Sequence, residues 1–122
     1  MLPTVLFLHG FFASGACIPA QALRESLHGV ADVLSPDLPL HPAEALRFIR
    51  QICLDRHPAV LVGNSAGSFL AQQVAAEFSL PAVLGNPYFL MTEFLEPRRG
   101  PQRYKAPRAN GRQEFVIDQV LI

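Results

Sequence analysis

The sequence predicts an α/β domain with a mainly parallel sheet. Short, continuously apolar runs alternate with stretches of helical period, in the order strand, helix, strand, helix, strand, helix, strand. Each apolar run closes at a turn rich in glycine, proline, asparagine or aspartate. The 122 residues suffice for one domain and not two, so residues 1–122 are read as a single domain.

Val5-Leu6-Phe7-Leu8 is an unbroken apolar run closed by His9-Gly10, which suits a strand buried on both faces. From Cys17 to Leu27, Ala20, Leu23 and Leu27 share one helical face, with Pro19 near the start. Val30 to Ser35 is the second strand, stopped by Pro36-Asp37-Leu38-Pro39. Pro42 to Arg56 is the clearest helix, with Leu46, Ile49, Ile52 and Cys53 in one stripe and Pro58 beyond its end. Ala59 to Val62 is the third strand, and Ala66 to Phe78 the third helix, with Leu70, Val74 and Phe78 spaced by four. Ala82-Val83-Leu84 is the fourth strand, ended by Gly85-Asn86-Pro87. The expected strand order is 2-1-3-4, in a three-layer sandwich.

Charge is balanced overall, ten basic residues against ten acidic, so no net field draws the chain to nucleic acid or membrane. Locally it is not balanced. Residues 97–112 hold six basic residues and no acid, leaving four basic and ten acidic elsewhere. Pro97, Pro101, Pro107, Gly100 and Gly111 punctuate this stretch, which reads as an exposed loop. Its functional version is a clamp for an anionic leaving group, such as the phosphates of coenzyme A.

An apolar content of 50% excludes disorder as the default. No apolar run approaches the roughly 20 residues of a membrane span. The first basic residue is Arg24, so the charged start of a signal peptide is missing. Cys17 and Cys53 are the only cysteines, which points to reduced thiols in the cytoplasm.

Gly63-Asn64-Ser65-Ala66-Gly67 fits the spacing GxSxG. The spacing alone is a weak signal. Its setting sharpens it, because the match follows a buried-type strand and opens a helix. A serine hydroxyl is a poor nucleophile and has to be displayed to a base and an acyl carbonyl. A tight strand-to-helix turn does this for Ser65, and Gly63 and Gly67 let strand and helix approach closely. An oxyanion hole needs two converging amides. Ala66 would supply one, and Phe11 the other, with Phe12 as the neighbouring choice. His9, Gly10, Phe12, Asn64 and Asn86 are candidate substrate-binding residues beside them. Ser65 as a plain helix N-cap is the structural alternative.

The segments LFLHGFFASG, SPDLPLHPAEAL, LVGNSAGSFLAQQVA and LPAVLGNP together resemble the α/β-hydrolase superfamily, and within it the small bacterial YqiA-like esterases. The likeness covers most of residues 4–90; the tail, with Tyr104 and residues 112–116, matches more weakly. It implies an α/β-hydrolase fold, incomplete on its C-terminal side, and an esterase-like serine hydrolase, with Ser65 as nucleophile and Phe11 and Ala66 as oxyanion donors. Asn64 and Ser68 depart from the family's elbow, which carries Ser and Gly there. Both lie beside the nucleophile, where they would alter rate or pocket shape.

The family's triad runs Ser, acid, His along the chain. His9, His28, His41 and His57 all precede Ser65. Asn86, where some members place the acid, carries no charge. Glu93, Glu96, Glu114 and Asp118 have no histidine after them. Acid and base are thus unknown, and three explanations stand: a piece of a longer enzyme, a naturally shortened relative of low or no activity, or an earlier histidine acting as base.

Bland roles suit most other candidates. His9 suits a loop-bracing hydrogen bond. His28 and His57 fall at helix ends, and His41 at a possible site rim. Asp37 reads as a turn residue, while Phe11, Phe12, Tyr88 and Phe89 suit the lining of an acyl pocket and core or rim packing equally.

The expected reaction is acyl transfer to water from a small-molecule carboxylic ester or thioester. No cofactor is implied, and the sequence shows no metal-site spacing and no nucleotide-binding glycine motif. Two rivals remain: a truncated non-catalytic binding module of the same fold, and a phosphate-binding domain using the helix start at Gly67. An open sheet edge would allow a homodimer.

Overall fold

A computed structural model of the chain describes residues 2–10, 13–85, 100–103, 108 and 114–117. Seven elements alternate as the sequence predicts: β1 (Thr4–Leu8), α1 (Ile18–Ser26), β2 (Asp32–Leu34), α2 (Pro42–Arg56), β3 (Val60–Asn64), α3 (Ala66–Phe78) and β4 (Ala82–Gly85). The sheet has the order β2-β1-β3-β4, and every neighbouring pair is parallel.

The register explains the layers. Leu6 pairs with Leu34 and Leu61, so these side chains share one face of the sheet. Helices α2 and α3 cover that face, where Leu6, Leu8, Ile49, Cys53, Leu61, Ala71 and Val74 form one buried cluster. Phe7 pairs with Val62 on the other face, packed with Cys17 and Ala20 of the α1 segment. Truncating a fully buried aliphatic such as Ile49 to alanine costs about 2–5 kcal/mol.

Beyond shifts of one residue at element ends, the structure differs from expectation at three places. β2 starts at Asp32 rather than Val30, because the Val30 and Ala31 amides both donate to the Leu27 carbonyl and close a turn around Gly29, at φ 80°. β3 runs on through Gly63 and Asn64, which pair with Leu84 and Gly85 of β4. The basic stretch read as an exposed loop contains a strand, β5 (Gly100–Arg103), antiparallel to β6 (Glu114–Ile117). In a two-stranded ribbon each strand has an open edge, so a proline such as Pro101 need not break a ladder on both sides.

Because β1, β3 and β4 run parallel, their C-terminal ends at Leu8, Asn64 and Gly85 share one edge of the sheet. His28 and His57 follow the C-terminal ends of α1 and α2 and so lie toward the opposite edge.

Candidate active site

Ser65 is the single residue between β3 and α3. Its backbone sits at φ 56°, ψ −119°. Among the described residues, the other non-glycine positions of positive φ, His57 and Ser79, are ordinary left-handed helix caps. Ser65 is not. Its angles are those of the first central residue of a type II′ turn, a place normally filled by glycine. A side chain held there costs on the order of 1–3 kcal/mol.

That geometry bears on the N-cap alternative. A capping serine has extended backbone and accepts a helix amide with its side chain. Ser65 has neither feature, and its side chain makes no cap hydrogen bond.

Backbone contacts hold the turn. The Ser65 amide donates to the Gly85 carbonyl at 2.9 Å, and the Ser68 amide donates to the Ser65 carbonyl at 3.0 Å. Gly67 lies so close to β1 that a Cβ there would collide with the Leu8 carbonyl oxygen. A Cβ on Gly63 would collide in turn with the Gly67 carbonyl. Strand-to-helix crossing at this distance requires glycine at both positions.

The loop after β1 meets the turn after β3. A Cβ built on Gly10 would stand 3.3 Å from the Ser65 Cβ and 3.8 Å from its Oγ. Ala66 opens α3, where backbone amides lack partners in a preceding turn. Asn64 is half-buried beside them, with Oδ1 3.4 Å from where a Cβ of Gly85 would lie. Phe11, Phe12 and Asn86 lie outside the described residues, as do Tyr88, Phe89, Glu93 and Glu96.

His9 is buried, and both its ring nitrogens meet the backbone. Nε2 accepts the Leu38 amide at 3.0 Å, and Nδ1 lies 2.7 Å from the Gly10 carbonyl. The pair requires the neutral ring, with its hydrogen on Nδ1. Burial lowers the His9 pKa below its ordinary 6.5, and the Arg108 charge pushes the same way. The Gly10 carbonyl and Asp37 oppose them. His9 therefore ties the β1 loop to the segment before α2 and has no lone pair left for a serine proton. His41 stands at the N-cap of α2, on the Ser65 edge of the sheet. Asp37 accepts the Gly15 amide at 2.8 Å, and the Ser35 hydroxyl donates to the Gly15 carbonyl at 2.8 Å. These bonds brace the β1–α1 loop from the β2 side.

A sharply turned serine between a buried strand and a helix, with a neighbouring loop against its side chain, is the arrangement of a nucleophile elbow. A family profile described as the alpha/beta hydrolase family matches residues 5–120. The chain belongs to the alpha/beta hydrolase family. That family is broadly one of hydrolases, and the 2-1-3-4 parallel sheet flanked by helices is its architecture in this chain. As an alpha/beta hydrolase, the chain places Ser65 at the C-terminal edge of its central strands, where such folds carry their chemistry. Among the described residues, no three His, Cys, Asp or Glu side chains converge to hold a metal ion, and no helix is long and apolar enough to cross a membrane.

Ser68 is the site residue whose bonding sequence reasoning did not foresee. It is fully buried, and its hydroxyl reaches the Gly63 and Gly85 carbonyls at 3.0 Å each. The sequence marks Ser68 only as a departure from the elbow pattern. Its acceptors are backbone atoms of two strands, which no side-chain motif records.

Proposed function

We propose that this alpha/beta hydrolase is a serine-dependent, esterase-like enzyme acting on small carboxylic esters or acyl thioesters. The supporting observation is the Ser65 backbone at φ 56°, ψ −119° on the β3–α3 turn. Strain of this kind persists where surrounding structure over-determines it, and it displays the side chain at the head of a helix.

In this reading the Ser65 oxygen attacks the acyl carbon and a general base takes the hydroxyl proton. The carbonyl π electrons move onto oxygen, and the Ala66 and Phe11 amides stabilise that oxyanion. Collapse expels the alcohol or thiol, which leaves with the proton, and an acyl-serine remains. Water then repeats the sequence on the acyl-serine, releasing the acid and restoring Ser65. The base is a group other than His9, whose nitrogens are spent on Gly10 and Leu38. The two cysteines, both free and buried, fit the cytoplasm as the setting.

Hydrolysis of p-nitrophenyl acetate and of an acetyl thioester tests the proposal. Turnover above the rate of Ser65→Ala is expected. Equal rates for the two proteins would overturn it and favour a binding module on the same fold.

A further inference from the structure

We infer that Ser68 is a positioning residue that fixes the nucleophile turn to the end of β4. The inference rests on Ser65 being the nucleophile, and it names a residue one helical turn away that has no contact with substrate.

The Gly85 carbonyl at the tip of β4 is the common point. It accepts the Ser65 amide at 2.9 Å and the Ser68 hydroxyl at 3.0 Å. The same hydroxyl lies 3.0 Å from the Gly63 carbonyl, so its one hydrogen is shared between the C-terminal end of β3 and the tip of β4. The Ser68 amide closes the loop by donating to the Ser65 carbonyl. Ser65 is thus bracketed: its amide by Gly85, its carbonyl by Ser68, and Gly85 itself by the Ser68 side chain. Position 68 has no exposure to solvent, so bulk water does not compete for these bonds.

Alanine at this position leaves the Gly85 and Gly63 carbonyls short of a donor. The Ser65 amide then keeps its bond to a carbonyl that is no longer held from the other side. A strained φ/ψ pair relaxes when the contacts that over-determine it are lost. Ser65 Oγ leaves the geometry needed for attack, and small misplacement of a reacting group is costly in rate.

The test compares wild type with Ser68→Ala by two measurements. One is the rate of covalent labelling of Ser65 by a fluorophosphonate, resolved into binding and maximal rate. The other is amide exchange at Ser65 and at Leu61, whose amide donates to Pro81 within the sheet. The maximal labelling rate is expected to fall roughly tenfold with inhibitor binding within about twofold. Exchange at Ser65 is expected to accelerate at least about fivefold more than at Leu61. Equal acceleration at the two amides would make Ser68 a support of the whole fold and overturn the inference. An unchanged maximal rate in the folded variant would overturn it too. If wild type takes up no label while the Ser65 amide is selectively freed, the serine-hydrolase reading fails and the bracing role stands. Ser68→Cys keeps the volume with a weak donor, and the same exchange comparison on it decides the matter if the alanine variant does not fold.

Discussion

Gly10 stands against Ser65, with 3.8 Å between the Ser65 Oγ and the place a Cβ of residue 10 would occupy. The two residues come from loops separated by more than fifty positions in the sequence. Only the parallel pairing of β1 with β3 brings them together. Gly10→Ala adds a methyl group 3.3 Å from the Ser65 Cβ, so one of the two loops has to give by a few tenths of an ångström. Labelling of Ser65 by a fluorophosphonate is expected to slow about tenfold, with thermal stability little changed. A labelling rate equal to wild type would show that the space beside residue 10 is not used.

Gly67→Ala is expected to behave differently. Its methyl group meets the Leu8 carbonyl, a backbone atom of the central strand that cannot move aside. Overpacking of this kind costs typically about 1–3 kcal/mol and more against fixed backbone. Urea denaturation should show a loss near the upper end of that range, or a variant that does not fold.

Ser65→Gly reports on strain directly. Glycine adopts φ 56°, ψ −119° without penalty, so relief on the order of 1–3 kcal/mol outweighs its unfolded-state entropy of about 0.5–1 kcal/mol. A gain of about 1 kcal/mol and a rise in Tm of about 3–6 °C are expected. Ser65→Ala keeps the strain and should melt near wild type. A glycine variant less stable than the alanine variant would mean that the turn is not strained.

His9 should make stability fall in mild acid. Its folded-state pKa is lowered, chiefly by burial. The unfolded chain therefore takes up the proton first as pH falls. The contribution of the neutral ring is present above the ordinary value of 6.5 and is lost as pH drops from there through the lower folded-state value. Protonation also removes the Nε2 acceptor of the Leu38 amide. Melting temperatures measured from about pH 7.5 down to about pH 5 should decline more steeply for wild type than for His9→Gln. Parallel profiles would assign the acid sensitivity to other groups.

The central sheet was legible because its inner strands β1 and β3 are flanked by a strand on each side, and Val5 to Leu8 and the run ending at Val62 read as unbroken apolar segments. The elbow was legible because glycines at 63 and 67 are required by the strand–helix crossing, and that requirement leaves a spacing in the sequence. The strand at Gly100–Arg103 was not, because Gly100 and Pro101 are breakers everywhere except on an open edge. The loop-bracing role of His9 was legible from its place at a strand end, but its partner Leu38 was not, and neither was the bond of Ser68 to Gly85. Their partners are backbone groups brought near by tertiary packing, and almost any residue type presents the same backbone amide or carbonyl.

Display of the Ser65 hydroxyl as a nucleophile is the claim on which the functional account depends. Exposure of the protein to a fluorophosphonate followed by peptide mass spectrometry tests it most directly. A single adduct on the peptide carrying Ser65, absent from Ser65→Ala, is the expected result. No adduct on wild type, or one that persists in Ser65→Ala, would contradict the account.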